Sequence, residues 1–191
     1  MTPQTNPLIV LIHVPKTAGS TMNARLAATY GEGLTHIESQ LGKDTLTPEK
    51  INSVPWLSGH LPFDRFRAFI EPKSTRPVAY LAAMRDPLLH VASHYNWLIE
   101  IGHRSPQFFD GHPEPVKEMH RIIASTDNGD PHSIIANLDR FGDMFLNCQA
   151  RYIIGAKGIG PAADYDRTLA AYDRIITPRT LKDFLTDTDR S

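Results

Sequence analysis

The architecture of this chain follows from residues 8–21, LIVLIHVPKTAGST. Five apolar residues come first, a pattern typical of a strand buried in a parallel sheet. A tight loop with Lys16 follows, and Ser20 and Thr21 stand where a helix running to Tyr30 would begin. The first backbone N–H groups of a helix lack intrahelical partners, and the helix dipole adds partial positive charge there. The stretch therefore predicts a strand, an anion-binding loop and a helix.

The residue types in this loop are suited to binding a phosphate. Lys16 adds a mobile positive charge, and Gly19 lets the backbone approach an anion closely. The loop is not a Walker A motif, because Lys16 precedes the glycine, and the hydroxyl that holds magnesium in that motif has no counterpart. For this stretch alone, an ordinary strand–turn–helix with a capping serine and a solvated lysine is an equal alternative.

Composition is that of a globular protein of one domain. The chain has 191 residues, of which 41% are hydrophobic, enough to bury roughly 70% of the unfolded surface. Its net charge of -1 argues against a general nucleic-acid-binding protein, which would be basic. The single cysteine, Cys148, excludes an internal disulfide and a cysteine metal cage, so we expect a buried filler.

No apolar run is long enough for a membrane-spanning helix, which needs about 18 residues or more. The first apolar run is also too short for a signal peptide, and no basic segment precedes it. We therefore expect a cytoplasmic location, with peripheral attachment at the inner membrane face as the alternative.

The order of predicted elements indicates an α/β fold with a mainly parallel sheet. Strands are predicted at 8–13, 56–60, 77–84 and 174–177. Helices are predicted at 20–30, 48–53, 87–101, 113–125, 131–138, 143–154, 164–172 and 178–185. The stretch 103–115 has Gly and Pro with few aliphatic residues, which predicts a mobile loop, and the glycine-rich stretch 156–161 is expected to be a connection.

A second candidate anion site lies in residues 81–95, LAAMRDPLLHVASHY. Arg85 follows a predicted strand at its carboxyl end, where open α/β sheets place ligand groups. Ser93 lies about two helical turns further on, so both side chains can face one pocket. A planar guanidinium and a hydroxyl suit a second phosphate. The alternative is a surface pair of Arg85 with Asp86 and an exposed serine.

A candidate base lies in residues 58–63, SGHLPF. His60 follows a glycine at a predicted strand end, and its unperturbed pKa of about 6.5 suits proton abstraction from an alcohol. A hydrogen-bonded structural histidine is the alternative. The other histidines form no metal motif, because His90 and His94 are spaced i, i+4 without the glutamate of a His-Glu-x-x-His sequence. We therefore expect no metal site.

Together, HVPKTAGST, SGHLPF and MRDP…SHY resemble, in this order, the motifs of sulfotransferases that use 3′-phosphoadenosine-5′-phosphosulfate (PAPS). The resemblance covers roughly residues 8–155 and points to carbohydrate O-sulfotransferases related to the heparan sulfate 2-O- and 6-O-enzymes, including bacterial members. It implies a P-loop-like three-layer fold with a central, mainly parallel sheet flanked by helices. The single domain would span 1–191, with a nucleotide-binding core at 7–101 and a mostly helical remainder at 102–191.

The resemblance also implies a role for each matching residue. Lys16 would contact the bridging oxygen and the sulfonate of PAPS, and His60 would be the general base. Arg85 and Ser93 would bind the 3′-phosphate, and Arg151 is a weaker candidate for an anion contact. The 5′-phosphate would be cradled by the N–H groups and hydroxyls of Thr17, Ala18, Gly19, Ser20 and Thr21. The acceptor would be a hydroxyl of a glycan, a glycolipid or another molecule, with neither a metal nor a nucleic acid involved.

The chain departs from the family pattern at three places. His90 stands where relatives often have an arginine in the 3′-phosphate helix, and 103–115 matches no acceptor loop. The sequence also ends soon after RIITPRTLKDFL, where many relatives continue, so the domain is minimal, truncated or completed by a partner chain. Two other functions stay open: a catalytically weak nucleotide- or glycan-binding module, and a P-loop nucleotide phosphotransferase, for which no magnesium ligands are evident.

Overall fold

A computed structural model describes residues 6–42 and 45–155. Three parallel strands form one small sheet in the order β2-β1-β3. The strands are β1 (Leu8–Ile12), β2 (Trp56–Gly59) and β3 (Val78–Ala82). Both ends of each strand lie within two residues of the ends predicted from the sequence. The α/β class is therefore confirmed, with a three-stranded parallel sheet flanked by helices.

Helices make up most of the rest of the described chain. Before residue 85 they are α1 (Gly19–Tyr30), α2 (Pro48–Asn52) and α3 (Phe63–Ile70), with 3-10 turns at Ile37–Gln40 and Glu71–Lys73. Further along are α4 (Pro87–Glu100), α5 (Pro106–Asp110), α6 (Glu114–Ala124), α7 (Pro131–Arg140), α8 (Gly142–Phe145) and α9 (Cys148–Ile154), with a 3-10 turn at Ile101–His103. None of the described helices is long and apolar enough to cross a membrane.

Several helices begin where the sequence places a capping residue followed by proline. Thr47, Asp86 and Asp130 each accept a hydrogen bond from a backbone N–H in the first turn of α2, α4 and α7. The proline that follows each cap has no N–H to satisfy and a φ that already suits the helix. Short-range chemistry thus fixes these starts, which is why the sequence predicts them well.

Apolar side chains pack on both faces of the sheet. Val10 and Ile12 of β1 belong to one core cluster, together with Phe66 of α3. Ile9 and Leu11 belong to a second cluster, which includes Leu26 of α1. Because both faces are covered, β1 is a continuous apolar run rather than an alternating one.

The chain divides into two compact units. The first contains the sheet and consists of the described residues before Arg85 and after Cys148. The second, Arg85–Cys148, is helical, and its own core includes Tyr95, Leu98 and Ile123. The single sulfotransferase-like domain implied by the resemblance stays a prediction.

Two predicted elements differ from the structure. The helix predicted at 143–154 is wrong as one element, because Asn147 has a left-handed φ of 51° that separates α8 from α9. The mobile loop predicted at 103–115 contains the helix α5, which begins where the Ser105 side chain accepts a hydrogen bond from Phe108 N–H. Cap chemistry therefore orders part of a stretch whose composition alone indicates a loop.

Helix α3 has no counterpart among the predicted elements. Its buried residues Phe63, Phe66 and Ile70 have helical spacing, which is the signal that the sequence offered. The predicted elements at 156–161, 164–172, 174–177 and 178–185 lie outside the described residues.

Candidate functional site

Three histidines of the first unit meet at the carboxyl ends of β1 and β2. His13 directly follows β1, His60 directly follows β2, and His36 precedes the first 3-10 turn. The ring centroids of His13 and His60 are 4.2 Å apart, and that of His36 lies 5.7 Å from His60. Open parallel sheets bind ligands at this edge, so the cluster lies where a functional site is expected.

A backbone hydrogen bond determines which nitrogen of His60 carries the proton. His60 Nδ1 lies 2.8 Å from the carbonyl oxygen of His13. A carbonyl oxygen only accepts, so Nδ1 is the donor and neutral His60 has its lone pair on Nε2. Burial lowers the pKa of His60 below its ordinary value, while the nearby Glu38 carboxylate opposes the shift. At neutral pH His60 is therefore an unprotonated base.

The Glu38 carboxylate contacts both the backbone of His60 and the neighbouring His36 ring. Its Oε2 accepts a hydrogen bond from His60 N–H at 3.0 Å, and its Oε1 lies 3.3 Å from His36 Nδ1. A β-carbon on Gly59 would lie 2.5 Å from Glu38 Oε2, so a larger residue would displace the carboxylate from its bond to His60 N–H. This explains the glycine of SGH. His36 and Glu38 were not among the residues predicted from the sequence, where their one signal is the His-x-Glu triplet.

The loop after β1 has an unusual backbone. Lys16 and Ala18 have positive φ angles of 65° and 68°, with Thr17 between them. Such conformations cost of order 1–3 kcal/mol each for residues other than glycine, and they concentrate at functional sites. Alternation of right- and left-handed backbone can form an anion-binding concavity. Ala18 is also the N-cap of α1, and its methyl side chain cannot cap the first N–H groups.

Two loop residues have structural roles in addition to those expected. The Thr17 hydroxyl donates a hydrogen bond to the Val14 carbonyl oxygen at 2.9 Å and so stabilises the loop. Because the hydroxyl proton is used in this bond, Thr17 can donate only its backbone N–H to an anion. A β-carbon on Gly19 would overlap the imidazole of His13, so glycine allows that ring to pack at the start of α1. Ser20, like Thr21, is exposed in the first turn.

The His13 ring is held neutral by its surroundings. It is only 8% exposed, and burial together with the neighbouring His60 and His36 lowers the pKa of His13 to about 4. His13 therefore adds no positive charge to the site near neutral pH. Its backbone contributes more, since His13 N–H donates to Gly59 O at 3.0 Å while its carbonyl accepts from His60.

The residues expected at the 3′-phosphate belong to the second unit. Arg85 is exposed just before α4, and Ser93 is half-buried within α4. The Asp86 carboxylate caps α4 by accepting from Leu89 N–H at 3.0 Å. Arg151 lies on α9 and is half-buried. A phosphate pocket that combines Arg85 and Ser93 with the loop after β1 stays a prediction.

A second group of polar side chains is buried inside the second unit. His90 and His94 lie on α4, Cys148 begins α9, and all three are buried. One possible ligand atom from each lies within 4.8 Å of the others. Atoms of His36, Glu38 and His60 meet the same condition in the first unit. Neither group was predicted from the sequence, because one member of each, Cys148 and His60, comes from an element far from the other two along the chain.

No family model, no curated protein and no solved structure matches this chain. The function must therefore be inferred from the residues of the two units. In the first unit these are His60, its neighbours His13 and Glu38, and the strained loop that includes Lys16 and Ala18.

Proposed function

We propose that this chain is a PAPS-dependent O-sulfotransferase that transfers a sulfonate group to a hydroxyl of a carbohydrate or glycoconjugate. The observation that supports it most is the hydrogen bond from His60 Nδ1 to the carbonyl of His13. It leaves Nε2 as the basic nitrogen, at the end of a strand that is hydrogen-bonded to the strand preceding the lysine loop. Deprotonation of an alcohol during attack requires such a base.

The reaction is an in-line displacement at sulfur. The acceptor oxygen forms a bond to sulfur while the bond between sulfur and the 5′-phosphate oxygen breaks. The hydroxyl proton moves to Nε2 of His60, and 3′,5′-ADP leaves with the electron pair of the broken bond. Lys16 and the N–H groups at the start of α1 would stabilise the negative charge that develops on the leaving oxygen.

The donor would be held at both of its phosphate ends. The strand–loop–helix order and the uncapped start of α1 support binding of the 5′-phosphate by the loop. Its ligands would be the backbone of Thr17, Ala18 and Gly19 and the hydroxyls of Ser20 and Thr21. Arg85 and Ser93 would bind the 3′-phosphate, which distinguishes PAPS from ordinary nucleotides. The proposal includes a P-loop-like three-layer arrangement and a cytoplasmic location.

One observation favours a P-loop nucleotide phosphotransferase as the second candidate. His36, Glu38 and His60 offer ligand atoms within 4.8 Å of one another, close enough for a divalent cation. Magnesium, however, prefers oxygen ligands, and this group offers a single carboxylate with two imidazoles. The ligand atoms of His36, Glu38 and His60 therefore suit magnesium poorly. A role for His60 Nε2 as the base in sulfonate transfer agrees better with this group of side chains.

Ligand binding and group transfer separate the candidates. In a thermal-shift assay, 3′,5′-ADP at a hundred times its Kd should stabilise the full chain by about 2.7 kcal/mol. Stabilisation by ATP with Mg²⁺ alone would contradict the sulfotransferase proposal. Transfer of labelled sulfate from PAPS to a panel of glycans and lipids then identifies the acceptor. Binding of 3′,5′-ADP without transfer to any acceptor would indicate a binding module.

A further inference from the structure

We propose that His90, His94 and Cys148 bind a zinc ion inside the second unit. This site uses none of the residues assigned to sulfonate transfer, and it does not depend on that function. It also differs from the sequence expectation of no metal site, since Cys148 lies far from both histidines along the chain.

The positions of the three side chains suit chelation. His90 and His94 are four residues apart on α4, so their rings lie on one face of the helix, with centroids 5.8 Å apart. The ligand atoms of the three residues lie within 4.8 Å of one another. A tetrahedral zinc with its usual bond lengths holds nitrogen and sulfur ligands about 3.3–3.6 Å apart. Side-chain rotations that move the atoms by about an ångström would complete the geometry.

The donor set selects the metal. One thiolate and two imidazoles favour zinc over magnesium or calcium, which prefer oxygen ligands. On binding, the Cys148 thiol loses its proton to solvent and the sulfur donates its electron pair to the metal. Three protein ligands leave a fourth tetrahedral position for a water molecule or another donor.

All three proposed zinc ligands are buried, which limits what else they can bind. His90 and His94 are each 2% exposed, and Cys148 is 5% exposed. The His94 ring packs against Phe145 at a centroid distance of 5.5 Å and against Trp97 at 5.8 Å. Aromatic groups around a metal limit the access of solvent and strengthen its bonds to charged ligands.

Two chain features agree with this placement. The His90 imidazole is buried beside Cys148 rather than exposed to solvent. Asn147, with its left-handed φ, separates α8 from α9 immediately before Cys148. Within the second unit, a bound zinc would connect Cys148 to the two histidines of α4.

Cobalt substitution tests the site directly. The full chain is purified without chelator, its zinc content is measured by mass spectrometry, and Co²⁺ is then added to chelator-treated protein. We expect about one metal per chain, visible bands of tetrahedral cobalt, and a thiolate-to-cobalt charge-transfer band in the near ultraviolet. Because Cys148 is the one cysteine of the chain, the charge-transfer band reports on this residue alone.

Matched variants distinguish this site from the other cluster. Cys148→Ser should abolish the charge-transfer band, and His94→Gln should lower the metal content at least tenfold. His132→Ala, which removes an exposed histidine of α7, and Glu38→Gln should change neither. Circular dichroism checks that each variant is folded.

The wild-type spectrum decides the outcome even if Cys148→Ser or His94→Gln fails to fold. Cobalt bound without a charge-transfer band would show that Cys148 is not a ligand and would overturn the proposal. Cobalt lost with Glu38→Gln would place the metal at His36, Glu38 and His60 and would overturn it too. Absence of any metal binding by folded wild-type chain would overturn it as well.

Discussion

His60 Nδ1 donates a 2.8 Å hydrogen bond to the carbonyl oxygen of His13, across the carboxyl ends of two neighbouring parallel strands. The acceptor is backbone, so the tautomer of His60 follows from the register of β1 and β2 rather than from another side chain. His13 N–H donates in turn to the Gly59 carbonyl at 3.0 Å. These two bonds hold the imidazole at a defined position relative to the ends of both strands.

Replacing His60 tests the general base. We expect His60→Ala to reduce PAPS-dependent turnover by at least about a hundredfold, because the acceptor hydroxyl loses its proton acceptor. The exposed His132→Ala variant is the control and should retain wild-type turnover. Labelled sulfate transfer measures both. Near-normal turnover by His60→Ala would remove this residue from the mechanism.

The charge of Glu38 should be visible in the pH dependence of the reaction. Its carboxylate raises the pKa of His60, so Glu38→Gln should lower that pKa further while Gln can still accept the bond from His60 N–H. The acidic limb of the kcat/KM profile should then move to lower pH, because His60 stays unprotonated down to a lower pH. An unchanged or upward-shifted limb would show that Glu38 does not act on His60 electrostatically.

Lys16 should matter for turnover more than for folding. Lys16→Ala and Lys16→Gly should each reduce turnover at least about a hundredfold, since both remove the charge that we propose stabilises the leaving oxygen. Lys16→Gly should be more stable than Lys16→Ala by about 1 kcal/mol, because glycine adopts the positive φ of 65° without strain. Urea unfolding of the two variants measures the difference, and equal stabilities would argue against strain at this position.

Gly59 should be needed for the position of Glu38. An added β-carbon would lie 2.5 Å from Glu38 Oε2 and 3.0 Å from Ile37, so Gly59→Ala should destabilise the chain by about 1–3 kcal/mol. The matched control is Gly111→Ala, where the nearest atom would be 3.4 Å away and φ is -66°. That control should change stability by less than about 1 kcal/mol. Urea unfolding gives both values, and equal effects would contradict the packing argument.

The neutral His13 ring should make stability depend on pH. Unfolded His13 takes up a proton near its ordinary pKa of 6.5, whereas the folded ring resists protonation down to about pH 4. The free energy of unfolding should therefore fall as pH falls between these values, by at most about 3 kcal/mol from this residue. His13→Gln should show a shallower fall in urea unfolding from pH 7 to 4.5. Parallel curves for the two proteins would mean that His13 titrates normally.

Local patterns were sufficient for much of the fold. The buried runs of β1, β2 and β3 and the caps Thr47, Asp86 and Asp130 act within a few residues of themselves. The sequence alone therefore determined three strands and most helix starts. It also brought Lys16 and His60 to attention, since both follow strands that end at one edge of a parallel sheet.

Contacts between distant residues were decided by the tertiary structure. Glu38 reaches the backbone of His60 from 22 residues away, and His60 reaches the His13 carbonyl from 47 residues away. Cys148 joins His90 and His94 only because α9 begins beside α4 within the second unit. Hydrophobic periodicity and capping patterns carry information only about the segment in which they occur. The contacts between distant residues depend instead on how separate segments pack. The sequence by itself thus determined the strand, the loop and the histidine at the end of β2; the packing of the chain decided which groups orient that histidine and which side chains could hold a metal.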